Sequence, residues 1–222
     1  MNRKTVCLLV LLVSLSTLLP SGVWAGSVPA VSFTSPGPGT NFTSGAFSMG
    51  YQFKTNKAIN VTALGFYDAA LTGGMQGLSG CDGCGEVGIY NSSGTLLVSG
   101  LATTSGTLVG DFYYVSVPTT SLAAGQHYFV VAESGNADYT FATVGFAVNP
   151  NINFLQDAFV SSSTLAFPTM SEGFTQADGG GFFGANFEFS SATTATPEPS
   201  SLLLFGTSLL GLMPFRRKLF GR

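Results

Sequence analysis

A repeat of two runs through this chain. Residues 47–53 read Phe-Ser-Met-Gly-Tyr-Gln-Phe, so Phe47, Met49, Tyr51 and Phe53 share one face of an extended strand. Small and polar residues take the other face. Residues 59–67 do the same with Ile59, Val61, Ala63 and Gly65, then shift phase near Phe66, which predicts a bulge or strand end there. Apolar residues at helical spacing are absent outside the two terminal segments. Short β-branched and aromatic runs alternate instead with glycine and asparagine punctuation.

The same reading predicts strands at 86–90 and 95–101 around an Asn91-Ser92-Ser93-Gly94 turn, and at 111–117, ended by Pro118. After a turn at 121–125 come strands at 126–132, 139–148, 154–160 and 183–189. So many short strands in about 170 residues predict a single domain, an all-β antiparallel β-sandwich of jelly-roll type. Residues 88–97, a strand at 111–117 and Leu122-Ala123-Ala124-Gly125-Gln126-His127-Tyr128 follow an order that is similar to one found in exported all-β domains. That likeness implies no activity.

The ends carry addresses. Arg3 and Lys4 precede an apolar run at 6–19, which is broken by Pro20-Ser21-Gly22 and followed by Val23-Trp24-Ala25. A comfortable membrane span needs about 20 residues. The pattern therefore predicts a signal peptide at 1–25, cut by signal peptidase after Ala25, with an uncleaved anchor as the alternative. At the other end Pro197-Glu198-Pro199 leads into an apolar segment at 201–215 and then Arg216-Arg217-Lys218, a basic cluster expected to stay cytoplasmic. As a helix that segment would reach roughly 23 Å, against a bilayer core of roughly 30 Å. Pro214 shortens its regular part further.

This tail resembles the PEP-CTERM sorting signal of bacterial exported proteins. The match is carried by Pro197, Glu198, Pro199, the apolar segment and Arg216, Arg217 and Lys218. The resemblance implies recognition by an exosortase, a membrane-embedded cysteine transpeptidase that cleaves near the motif. It also implies transient insertion in the inner membrane, followed by release or transfer to the cell surface or beyond. A simple C-terminal anchor is the alternative. The organisation expected is signal peptide 1–25, a Pro/Gly/Ser/Thr-rich lead at 26–45 that is extended or pairs as a first strand, a domain at 46–190, a linker at 191–196 and the sorting signal at 197–222.

Without its ends the chain is acidic. Between residues 26 and 196, Lys54 and Lys57 stand against ten acids, a net charge of −8, and there is no arginine. Nucleic-acid binding needs clustered cations to displace counterions from phosphates, so that class is excluded.

Candidate chemistry is sparse. Cys81-Asp82-Gly83-Cys84 sits among Gly77, Gly80 and Gly85, which oppose the helix that a redox Cys-x-x-Cys pair uses. Zinc would need more soft ligands than His127 alone supplies. A structural disulfide between Cys81 and Cys84, formed after export, is the expected role. Its short loop makes its stabilisation modest. Asp82 and Glu86 could offer oxygens to calcium, but no Asp-x-Asp-x-Asp-Gly loop accompanies them. His127 has no evident catalytic partner and no Gly-x-Ser-x-Gly elbow is present. The expected catalytic, cofactor and metal sets are all none. Twenty phenylalanines and seven tyrosines exceed what turns need, and most must build the core. Tyr67, Tyr90 and Tyr139, near strand ends, are the candidate glycan contacts. The expectation is an exported, non-catalytic surface or extracellular-matrix protein, with exopolysaccharide as its candidate ligand. A secreted polysaccharide-active enzyme is the alternative.

Overall fold

The computed structural model describes residues 26–37, 46–67, 84–134 and 139–192, with the Cys84 side chain excepted. The signal peptide, Cys81 and its disulfide with Cys84, and the tail with its apolar segment and Pro197, Glu198, Pro199, Arg216, Arg217 and Lys218 lie outside the described residues. No helix among the described residues is long and apolar enough to cross a membrane.

The strands, in chain order, are β1 (Val28–Pro29), β2 (Val31–Ser32), β3 (Phe47–Thr55), β4 (Ile59–Tyr67), β5 (Cys84–Asn91), β6 (Leu96–Thr103), β7 (Thr107–Val109), β8 (Phe112–Leu122), β9 (His127–Ser134), β10 (Ala147–Val148), β11 (Ile152–Ser161) and β12 (Ala185–Ser191). The fold is all-β and antiparallel. Sheet I has the order β1-β12-β4-β8-β7, sheet II the order β11-β3-β9-β5-β6, and β2 with β10 forms a small ribbon. Four pairs nest in sequence: β5 with β6, β4 with β8, β3 with β9 and β1 with β12, each enclosing the one before and alternating between the sheets.

The repeat of two delivers the core. Tyr51 and Phe53 of sheet II are fully buried, and the Phe53 ring lies 4.8 Å from that of Phe187 in sheet I. Leu64 reaches towards Gly100, and Phe66 fills the space where a side chain at Gly85 would stand. Burying one such aromatic or aliphatic side chain contributes about 1.5–3 kcal/mol. These contacts join residues of the two sheets in one core.

Three local expectations are corrected. Pro118 does not end its strand: β8 runs on to Leu122. The register skips from Ser116↔Ala63 to Thr120↔Val61, so Pro118 occupies a bulge where no ladder N–H is required. That same irregularity, and not Phe66, is where β4 and β8 slip. β4 continues regularly to Tyr67, and its last five residues are all buried because both of its faces are covered there. Residues 139–148 form no strand, only bridges at Thr140 and Val144 and the two-residue β10. Ala142 (φ 50°) and Gly145 (φ 68°) turn the backbone out of the extended region. The lead adopts the second of its two expected states, pairing as a first strand. Val28 and Pro29 pair with β12, and Ala30 and Val31 are buried. At the other end of the body, β12 runs to Ser191.

Candidate functional site

The three candidate tyrosines separate. Tyr67 is fully buried, its ring 5.7 Å from Phe112 and 6.1 Å from Phe33. Phe33 of the lead packs on it, so Tyr67 is a buried core residue and not an exposed stacking surface. Tyr90 is 6% exposed. A strap at 162–170 crosses the outer face of sheet II and sets Phe167 edge-on against Tyr90 at 5.8 Å and Phe129 at 5.1 Å. Burial is the first cause that raises the Tyr90 phenol pKa, and the charge of Glu86 adds to it. Tyr90 is therefore covered too.

The strap can lie so close because the strands beneath it are small-faced. Ser48 Oγ donates to the Ala166 carbonyl at 2.9 Å and accepts from the Ala166 N–H at 3.2 Å. A Cβ at Gly88 would come within 2.7 Å of Leu165, so glycine there admits the strap. Nothing in the 162–170 sequence announces this covering role.

Tyr139 is half-buried and belongs to a cluster that sequence reasoning missed. Its ring meets Phe182 edge-on at 5.6 Å. Phe182 also meets Phe159 at 5.3 Å and Phe174 at 5.5 Å, both edge-on, and Phe141 packs 6.0 Å from Phe174. Phe47 extends the row to Phe159 at 6.3 Å. All six rings are partly exposed. They gather at the end of sheet II where β3 starts and β11 finishes. Edge-to-face packing of this kind adds about 0.5–1.5 kcal/mol per pair beyond burial. Burial raises the Tyr139 phenol pKa, keeping it neutral at physiological pH.

Asp157 anchors this end. It is fully buried on β11, and its carboxylate accepts from Phe174 N–H at 2.8 Å, Glu172 N–H at 2.8 Å and Ser171 Oγ at 3.0 Å. Three donors satisfy the charge in place. The group's work is to hold residues 171–174, and with them Phe174, against the sheet. Asp178 caps the following 3-10 turn (Gln176–Asp178), accepting from Thr175 N–H and Oγ1 at 2.9 and 2.7 Å, which lowers its pKa.

Asn186 performs a similar task on sheet I. Its Oδ1 accepts from Val31 N–H, Tyr51 Oη and Phe187 N–H, while Nδ2 donates to the Val31 carbonyl at 2.8 Å, sewing the lead to β12. Beside it Tyr114 lies across Gly65 with its buried hydroxyl lacking a hydrogen-bond partner among the described residues. Burial first, and the charge of Glu188 second, raise the Tyr114 pKa. The nearby pocket lined by Pro29, Val31, Phe33, Asp111, Phe112 and Tyr114 offers only about 50 Å³, far below the roughly 300 Å³ of a small-molecule site. His127 is exposed at the start of β9, across the ladder from Lys54. No group of three or more His, Cys, Asp or Glu side chains among the described residues is placed to hold a metal.

The body thus spends its buried polar groups on tying loops to sheets, and the decisive functional signal lies in the tail. Residues 195–218 match the PEP-CTERM protein-sorting motif. The chain is in this respect consistent with an exosortase substrate, and the motif implies an exported protein. Among curated proteins none matches it.

Proposed function

We propose that this chain is a non-catalytic surface or extracellular-matrix component, delivered by exosortase processing, whose aromatic end around Tyr139 contacts exopolysaccharide. The observation that carries the sorting half is the match at residues 195–218. The binding half is supported by six partly exposed rings gathered at one end of an acidic body and held by Asp157. Signal peptidase acts first in this reading, removing residues 1–25. Insertion of 201–215 in the inner membrane is then a passing stage before the exosortase acts. The body itself is read as a two-sheet jelly roll. The nested pairs support that, with β1-β12-β4-β8 in one sheet facing β3-β9-β5-β6 in the other, and with β7 and β11 as additions at the edges.

Two measurements test the proposal. Mass spectrometry of material from a host with and without its exosortase should find the mature chain ending near Pro197 only when the enzyme is present. A chain retaining Arg222 in both hosts would end the sorting reading. Titration of the exported protein with the host's exopolysaccharide should show binding that weakens about tenfold or more, worth about 1.4 kcal/mol, when Tyr139→Ala and Phe174→Ala are combined. Equal binding by the double variant would remove the aromatic end from the account.

A further inference from the structure

A sheet has two lateral edges, and an open edge presents unpaired N–H and C=O groups to any strand that arrives. Among the described residues, three of the four edges are blunted and the fourth has no strand paired on its outer side. On sheet I, β1 is two residues long and contains Pro29, and β7 is three residues long. On sheet II, residues 169–174 close the β11 side. Phe159 and Met170 exchange N–H···O bonds at 2.9 Å in both directions, Asp157 N–H donates to the Phe174 carbonyl at 3.3 Å, and the Asp157 carboxylate takes two N–H groups of the same segment. The fourth edge, β6, is different. It runs for eight residues, contains no proline, and exposes Leu96 (43%), Leu97 (37%) and Leu101 (44%). A bulge at Leu97 lies at its turn end and leaves 98–103 in regular register with β5.

Charge identifies the occupant. Residues 92–110 contain no ionisable side chain, in a body of net charge −8 between residues 26 and 196. Two copies of such a body repel wherever their carboxylates face each other. Here the edge, its turn and the following β7 present none. A strand without charge or proline is also its own best complement, because antiparallel pairing about a twofold axis sets each residue of 98–103 opposite another of the same set. The geometry points to β6 as a self-association edge: a second copy of this chain pairs through its own β6, joining two five-stranded sheets into one of ten.

The test uses exported protein and a photo-crosslinking amino acid, p-benzoylphenylalanine. Placed at Ser99, it should give a dimer adduct whose partner peptide spans residues 97–103 of a second copy. Placed at Asn153, on the blunted β11 side, it should give no such adduct. Leu101→Lys brings two cations together across the twofold axis. Within one copy that lysine faces Glu86 across the ladder, so the fold is kept. This variant should lower adduct yield at least tenfold and sediment as a monomer at concentrations where the parent is dimeric, with unchanged far-UV circular dichroism. A monomeric parent, an adduct from Ser99 to another protein, or equal dimerisation by Leu101→Lys would each overturn the assignment. None of these outcomes depends on exopolysaccharide binding.

Discussion

Replacing Asp157 with asparagine changes no volume and removes one acceptor. In the parent, Oδ1 receives Phe174 N–H at 2.8 Å and Ser171 Oγ at 3.0 Å, while Oδ2 receives Glu172 N–H at 2.8 Å. Asparagine keeps one oxygen and turns an NH₂ towards a backbone donor. A hydrogen bond to a charged group contributes about 1.5–3 kcal/mol, and a stranded buried donor costs about 1–3 kcal/mol. Glu172 and Gly173 are exposed, so the freed backbone can turn to water, and the two costs do not add in full. The expected loss is about 2 kcal/mol for Asp157→Asn and about 3–4 kcal/mol for Asp157→Ala, which abandons all three donors. Against a total stability of about 5–15 kcal/mol either is severe. In urea, with a slope of about 2 kcal/mol per M, the asparagine variant should unfold about 1 M earlier. Its near-UV circular dichroism should weaken as Phe174 leaves Phe182, and protease should begin to cut within 170–175. A midpoint within about 0.3 M of the parent, with 170–175 still resistant, would refute the role given to Asp157.

Other outcomes follow from the same geometry. Phe167→Ala should uncover Tyr90, bring its phenol titration down towards the ordinary range, and open it to nitration, at a stability cost of about 2 kcal/mol for a half-buried ring. Gly50→Ala should cost about 3 kcal/mol in chemical denaturation, because its Cβ would meet the Val130 carbonyl oxygen at 2.0 Å. Burial raises the folded-state pKa of Glu188, so its ionisation opposes folding. Its contribution to stability is therefore lost as pH rises from the unfolded-state carboxylate pKa through the raised folded value. Glu188→Gln should raise stability at pH 7 and not at pH 3, by at most about 1 kcal/mol at so solvated a site, read as a higher melting temperature at pH 7 only.

The strand pattern was legible because alternation is a local property. The faces of 47–53 could be read directly, and Phe53 and Tyr51 are where that reading puts them. The covers were not legible. Tyr67 and Tyr90 sit at strand ends, as expected, yet the lead brings Phe33 onto one and the strap brings Phe167 onto the other from 34 and 77 residues away in sequence. No window of a dozen residues contains such a contact. Pro118 misled because a proline in a bulge and a proline at a strand end look alike without the partner strand. Asp157 carried no motif, since its three donors are mainly backbone groups of a loop that any sequence could supply. The PEP-CTERM tail was legible for the opposite reason: its parts are contiguous and are read in order along the chain.

The last of the described strands is an interior one. β12 lies between β1 and β4 and supplies Phe187 and Phe189 to the centre of the body. A chain threaded outward from its N-terminus cannot complete this sheet until residues up to Ser191 have crossed. Only residues 192–196 separate Ser191 from Pro197, a reach of at most about 22 Å when fully drawn out. The sorting motif that an exosortase is implied to read therefore lies close beside a strand that must be in place before the sheet is complete.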